Sequence, residues 1–204
     1  MNDPLIRKAF HISFLQKDHA SPNTLVIDEL GIEHGKCRAD IVVINGYIKG
    51  YEIKSEKDSL IRLKNQVELY NAVFDYSSVI LEKRHLKDVR NFIPQWWGII
   101  LVMENEKGLV CFETIREPSQ NLLIDDYAVA QLLWRSEAQE ILKNFGVSGK
   151  QLRECRANLY QYIIDILDPN VLRELVREYL KKRRGWRDHE LPSQYDGLSL
   201  LLSM

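Results

Sequence analysis

The fold is decided by residues 38–54, which read RADIVVINGYIKGYEIK. Two short apolar runs flank Asn45-Gly46, and an Asn-Gly pair between alternating apolar residues is a strong signal of a β-hairpin. One acid, Asp40, falls on the first strand, whereas Glu52 and Lys54 fall on the second. Since residues two apart on a strand share a face, Glu52 and Lys54 are expected side by side.

The chemistry of this hairpin depends on the length of its turn. With a two-residue turn, Asp40 and Glu52 would point to opposite faces, because a one-residue slip moves every side chain to the other face. A three-residue loop at Asn45-Gly46-Tyr47 puts Asp40 opposite Glu52, and a bulge at Gly50 would restore the same match. A site shared by the two acids therefore predicts one of these two geometries.

The rest of the chain predicts a mixed sheet with helices on its faces. Apolar periodicity predicts strands at 24–29, 38–45, 47–55, 77–82, 97–103 and 108–115. Helices are predicted at 3–19, 58–75, 85–92, 125–134, 136–145, 150–167 and 170–184. This order favours an α/β fold, with a core over residues 1–117 and a helical extension over 118–204 that packs on it.

Composition is typical of a globular protein, with 45% hydrophobic and 28% charged residues in a chain of 204. No apolar run approaches the roughly 20 residues of a membrane span. The first residues, MNDPLIRKAFHISFL, lack the basic-then-apolar order of a signal peptide. The expected location is the cytoplasm, with no membrane partner.

Charge and cysteine content give weaker constraints. The net charge of −1 neither supports nor excludes a nucleic-acid partner, because a local groove can be basic on a neutral protein. The three cysteines, Cys37, Cys111 and Cys155, have no metal-ligand spacing and an odd number, which argues against a disulfide framework. They are expected to be reduced and structural.

Two carboxylates and a backbone carbonyl suit a hard divalent cation such as Mg²⁺ or Mn²⁺, which takes oxygen ligands and keeps waters. In the hairpin these ligands would be Asp40, Glu52 and the carbonyl of Ile53. Lys54 would orient a water or stabilise negative charge on a phosphate. The alternative is a surface ribbon, because a half-exposed strand also shows alternating charges.

Three further residues bear on this choice. Glu29 ends the strand before the hairpin, where it is either a third acid of the site or a polar strand end. Gln66 and Tyr70 lie one turn apart on the next predicted helix, so both could face the site. Tyr70 also continues the apolar stripe of that helix, and the sequence leaves both interpretations open.

Asp40, Glu52-Ile53-Lys54 and the downstream QVELY together resemble the PD-(D/E)xK nuclease superfamily, in which a Gln-x-x-x-Tyr element marks the RecB-like branch. The longer stretch from VIDELGIEHGKCRAD to PQWWGI resembles an uncharacterised bacterial family within it. Ala39 stands where the superfamily name has proline. The resemblance implies a restriction-endonuclease-like sheet, with Asp40, Glu52, Ile53 and Glu29 on the metal. It implies Lys54 as the catalytic lysine, with Gln66 and Tyr70 as helical site residues.

Two functions are consistent with these residues. The first is a magnesium-dependent nuclease that hydrolyses DNA, in DNA repair or in defence against foreign DNA. The second is a catalytically silent nucleic-acid-binding or regulatory protein that retains the nuclease fold. The sequence does not decide whether the substrate is DNA or RNA, or whether it is single-stranded, duplex or branched. It also leaves open whether the protein forms a homodimer. A basic run at 181–187 either contacts phosphates or is a helix C-terminus, where cations are favoured.

Overall fold

The structure, a computed structural model, describes residues 1–56 and 58–183. Its centre is one six-stranded sheet whose strands follow in chain order: β1 Leu25–Ile32, β2 Cys37–Ile44, β3 Ile48–Lys54, β4 Tyr76–Glu82, β5 Gly98–Glu104 and β6 Val110–Arg116. Strands β3, β4 and β5 are parallel, whereas β1, β2 and β6 pair antiparallel with their neighbours. This mixed sheet confirms the predicted α/β class.

Eight α-helices surround the sheet in the part of the chain that the structure describes. They are α1 Asp3–Ala9, α2 Gln16–Ala20, α3 Leu63–Val73, α4 Leu86–Val89, α5 Asp126–Ala130, α6 Arg135–Asn144, α7 Arg156–Ile166 and α8 Pro169–Lys182. The predicted helix over 3–19 is interrupted, because a π-helical segment at Phe10–Phe14 and a bend at Leu15 separate α1 from α2. There Leu15 N–H donates to the Phe10 carbonyl five residues back, which is the spacing of a π-turn.

The sheet has a different apolar layer on each face. On one face the strands share a large core with α3 and with the helices that follow residue 118. On the other face a smaller cluster contains Ile6, Phe10 and Leu15 from the N-terminal segment. Burial of these apolar groups is what attaches the helices to the sheet.

Strands β1 and β2 each change the face of their apolar side chains halfway along. In β1, Ile27 and Leu30 both lie in the large core, although strict alternation would put them on opposite faces. In β2 the same holds for Ala39 and Val42. The two strands stay in register because both changes of face occur at the same level, between the pairs Asp28–Ile41 and Leu30–Ala39. Glu29, at the change in β1, has a left-handed backbone with φ 57°.

The β2–β3 turn has the geometry that a shared site requires. Ile44 pairs with Ile48, so the loop contains the three residues Asn45-Gly46-Tyr47. Gly46 takes a φ of 106°, a conformation that favours glycine. Of the two predicted geometries, the three-residue loop is therefore confirmed.

Candidate active site at the β2–β3 hairpin

The carboxylate of Glu52 is the centre of a buried polar network. Its Oε1 accepts hydrogen bonds from Lys54 Nζ at 2.6 Å and from Gln66 Nε2 at 2.5 Å. Its Oε2 accepts the Tyr70 hydroxyl at 2.6 Å. Lys54 also donates to Gln66 Oε1 at 2.9 Å. The structure thus brings four of the predicted site residues into direct contact.

This network excludes the interpretation of the hairpin as a surface ribbon. Glu52 is 1% exposed and Lys54 4% exposed. Both lie beneath α3, whose buried residues Leu63, Val67 and Tyr70 pack toward the sheet. Charged side chains are almost never fully buried unless they are paired, as Glu52 and Lys54 are here.

Tyr70 combines the two roles that the sequence left open. Its ring is completely buried, with centroids 4.8 Å from Phe74 and 5.4 Å from Trp97. Its hydroxyl nevertheless reaches Glu52. Burial, followed by the negative charges of Glu52 and Asp40, raises the pKa of the phenol. Tyr70 is therefore a core residue that donates a hydrogen bond into the site.

Asp40 lies one rung beyond the last paired residues of the hairpin, Ile41 and Tyr51. Its Oδ2 accepts the backbone N–H of Ile53 at 2.7 Å, so its carboxylate fills the gap where β2 and β3 separate. Burial and the charge of Glu52 raise the pKa of Asp40 to about 7, although the Ile53 N–H and the guanidinium of Arg7 act in the opposite direction. The negative charge of Glu52 therefore disfavours ionisation of Asp40.

Arg7 is a site residue that the sequence did not reveal. Its guanidinium lies 3.1 Å from Asp40 Oδ1 and 3.0 Å from Glu29 Oε1, and 3.5 Å from Asp28 Oδ2. It also donates to the Asp40 carbonyl. Its contacts, like that of His11 with Asp28, join the N-terminal segment to distant strands, so no local sequence pattern indicated them.

Glu29, a predicted metal ligand, and Cys37, a cysteine expected to be structural, both have charged site residues as neighbours. The carboxylate of Glu29 pairs with Arg7 and lies 4.0 Å from an Arg38 nitrogen. Cys37 is buried and free, and burial, together with the charges of Glu52 and Asp40, raises the pKa of its thiol to about 11. A thiol with this pKa stays protonated and unreactive at neutral pH, which agrees with a structural role.

The donor set of the hairpin fits a hard cation. Asp40, Glu52 and the Ile53 carbonyl offer only oxygen, and the repulsion between the two acids is what a divalent ion would relieve. Within residues 1–56 and 58–183, no group of three or more His, Cys, Asp or Glu side chains is arranged to hold a metal. Any ion here would therefore rely on two carboxylates, the carbonyl and water.

Comparison with known proteins places the chain in a family. Residues 5–194 match the family described as bacteriophage P4 protein cII. The chain belongs to the bacteriophage P4 protein cII family. Protein cII of Enterobacteria phage P4 itself is 23% identical over 188 residues, which is 91% of this chain and 69% of the phage protein. The cII family match spans the sheet as well as the helices after residue 118.

One solved structure is also similar. It is a protein of unknown function from Silicibacter pomeroyi, 14% identical, with a TM-score of 0.43 over 72% of this chain and 97% of that one. Among the helices that the structure describes, none has the length and apolar character needed to cross a membrane.

The basic run at 181–187 is described only as far as Arg183. Lys181 donates to the Asn23 carbonyl at 2.6 Å, and Lys182 pairs with Glu178 at 3.1 Å. Both residues belong to the last turn of α8, where cations interact favourably with the helix dipole. Arg184, Trp186 and Arg187 lie outside the described residues.

Proposed function

We propose that this chain is a metal-dependent nuclease with its active site in the β2–β3 hairpin. The observation that carries the proposal is the buried network of Glu52, Lys54, Gln66 and Tyr70. Its members come from two elements and meet at one carboxylate, beside a second acid whose pKa is raised to about 7. Perturbed acids with specific charged partners are characteristic of functional sites.

Asp40, Glu52 and the Ile53 carbonyl would hold Mg²⁺ or Mn²⁺. When bound, the ion supplies a water of lowered pKa and neutralises charge on the phosphodiester. Lys54, held by Glu52 and Gln66, would place its ammonium against the water or the developing phosphate charge. Tyr70 and Gln66 would keep the Glu52 carboxylate in one orientation, because both donate to it from α3.

One observation favours the second candidate, a regulatory or nucleic-acid-binding protein that retains a nuclease-like fold. The guanidinium of Arg7 already lies among Asp28, Glu29 and Asp40. A resident cation of the chain can balance these acids without a metal ion. In that case the hairpin would keep its geometry and its network but cleave nothing.

A chelator-controlled cleavage assay distinguishes the two candidates. Single-stranded, duplex and branched DNA are incubated with the full chain and Mg²⁺ or Mn²⁺, with and without EDTA. The nuclease predicts products that EDTA abolishes. DNA binding without products in every arm favours the second candidate.

Variants on β3 assign any cleavage to the site. We expect Lys54→Ala to reduce the rate by about 100-fold or more, the scale of losing one group that stabilises charge in the transition state. Lys49→Ala is the matched control, since Lys49 lies on the same strand near the turn and outside the network. Cleavage that persists in Lys54→Ala and in Asp40→Ala would refute the assignment.

A further inference from the structure

A cavity lies where the β1–β2 turn meets the helices after residue 118. Its volume is about 380 Å³, within the roughly 300–1,000 Å³ range of ligand sites. The side chains that give it its chemistry are His34, Trp134, Arg135, Arg156 and Arg183, and we call it the α6–α7 cleft. No Asp or Glu is among the described residues that line it. The cleft is therefore cationic and aromatic.

Two of its cations are available to an anion. Arg156 is exposed at the start of α7, and Arg135 is half-exposed at the start of α6. Arg135 donates one hydrogen bond to the Arg153 carbonyl at 3.1 Å. Within the described part of the chain, neither residue forms an ion pair with an acid. Their charges consequently face the cavity without a carboxylate to neutralise them.

The aromatic wall of the cleft is held in place by a buried ion pair. Arg183 contacts Glu137 at 2.6 Å and donates to the Leu132 carbonyl at 2.6 Å, so its charge is already balanced. Its guanidinium lies 4.3 Å from the centroid of the Trp134 ring. Trp134 is still 54% exposed, an uncommon state for so large an apolar side chain. The indole is thus fixed in orientation and accessible to a planar group.

Opposite this wall, His34 closes the cleft from the sheet side. Its ring stacks on Tyr160 of α7, with centroids 5.7 Å apart and planes inclined by 22°. The turn that carries it joins β1 to β2, the strands of Glu29 and Asp40. The cleft and the hairpin site therefore lie near the same end of the sheet, where β2 begins and β3 ends.

We propose that the α6–α7 cleft binds a nucleotide unit, with the phosphate on Arg135 and Arg156 and the base stacked on Trp134. Arginine recognises phosphate through its forked donors, and exposed aromatic rings stack on bases without regard to sequence. The unit can come from a single-stranded nucleic acid or from a free nucleotide. This binding requires neither a metal ion nor cleavage at the hairpin.

Binding is measured by fluorescence anisotropy of a short labelled single-stranded oligodeoxyribonucleotide, with EDTA present and on the Lys54→Ala background. We expect Arg135→Ala/Arg156→Ala to weaken binding by about tenfold or more at low salt. The slope of log Kd against log salt should decrease by about 0.7, the value for one phosphate of a single strand, because both arginines hold the same phosphate. Trp134→Ala should weaken binding by about tenfold and leave the salt slope unchanged.

Controls separate a lost contact from a lost fold. Lys107→Ala removes an exposed cation in the β5–β6 turn, at the opposite edge of the sheet, and should bind like the parent chain. Arg156→Ala alone removes an exposed side chain, so it keeps the test valid if the Trp134 variant unfolds. Thymidine 5′-monophosphate, used as a competitor, tests the free-nucleotide source.

The outcomes are distinct from those of the cleavage assay. Weaker oligonucleotide binding in the cleft variants, without competition by the mononucleotide, assigns the cleft to single strands. If thymidine 5′-monophosphate competes with the oligonucleotide and the same variants abolish this competition, the cleft is assigned to free nucleotides. Unchanged affinity for both probes in Arg156→Ala and in the double variant, with an unchanged salt slope, overturns the proposal whether or not the hairpin cleaves DNA.

Discussion

Tyr70 of α3 donates a hydrogen bond of 2.6 Å to Glu52 of β3, across the interface between helix and sheet. The same tyrosine ring packs in the large core. The position of the acid in the candidate site is therefore set by the packing that stabilises the fold. Substitutions at this interface should change stability and site geometry together.

The Tyr70 hydrogen bond should contribute measurably to stability. We expect Tyr70→Phe to lower the free energy of unfolding by about 1.5–3 kcal/mol, because its acceptor is charged and buried. Tyr160→Phe is the control, since that buried hydroxyl donates to the neutral carbonyl of Leu133 at 2.9 Å. Its loss should be about 0.5–1.5 kcal/mol. Urea unfolding of both variants tests the order, and an equal or reversed order would contradict a charged Glu52.

Gly50 of β3 should not tolerate a side chain. A Cβ atom there would lie 2.4 Å from the Phe74 ring, which is itself buried beside Tyr70. We expect Gly50→Ala to destabilise the protein by about 1–3 kcal/mol, the usual cost of overpacking. Gly31→Ala, whose Cβ would meet nothing closer than 3.8 Å, should change stability far less. Thermal unfolding measures the stability of both variants. An equal loss in the two would contradict the close approach of Gly50 to the Phe74 ring.

The raised pKa of Asp40 predicts a pH dependence of stability. Between its ordinary value of 3.8 and about 7, the folded chain holds a proton that the unfolded chain has lost. The stabilisation of the folded chain by this proton on Asp40 is thus complete below about pH 4, and it is lost as the pH rises to about 7. In EDTA, we expect the wild-type free energy of unfolding to fall relative to Asp40→Asn by ~1–3 kcal/mol between about pH 5 and about pH 8. Parallel pH profiles for the two proteins would contradict the raised pKa.

Arg7 should be the cation that keeps the acids together when no metal is added. Arg7→Gln leaves Asp28, Glu29 and Asp40 without it, and we expect a loss of at least about 2 kcal/mol. If the hairpin takes a divalent ion, millimolar Mg²⁺ or Mn²⁺ should restore part of this loss, because ligands that bind only the folded state stabilise it.

The control for this experiment is Arg173→Gln. Arg173 pairs with Asp126 at 2.8 Å in a more exposed position, with 27% of each side chain accessible. Its loss should stay below about 1 kcal/mol and should not respond to the metal. The melting temperature of each variant, measured with metal and with EDTA, gives the comparison. An equal metal response in both variants would mean that the ion acts elsewhere.

The parts of the site that the sequence could predict are those that depend on local spacing. Glu52 and Lys54 share a face because they are two apart on a strand, and Gln66 and Tyr70 meet them because a helix repeats every turn. The requirement of a three-residue loop followed from counting residues between Asp40 and Glu52. These arguments use separations of a few residues, where the geometry of the backbone is nearly fixed.

The remaining features depend on contacts between distant parts of the chain. Arg7 reaches the acids only because α1 packs on the face of the sheet opposite α3, and no local pattern determines that placement. The left-handed conformation of Glu29 likewise conflicts with ordinary strand preference, since non-glycine residues seldom adopt it. The predicted strand 24–29 is shorter than the observed β1, which continues past Glu29 to Ile32.

The matched changes of face in β1 and β2 limit how this protein can evolve. Deleting one residue near Glu29 would restore strict alternation in β1 but would move the residues beyond it one position out of register with β2, because β2 keeps its own change of face. A deletion near Asp40 alone would have the same effect on β2, where Ala39 and Cys37 would lose their present partners Leu30 and Ile32. Chain-length changes at these two positions should therefore be inherited only as pairs, one in each strand.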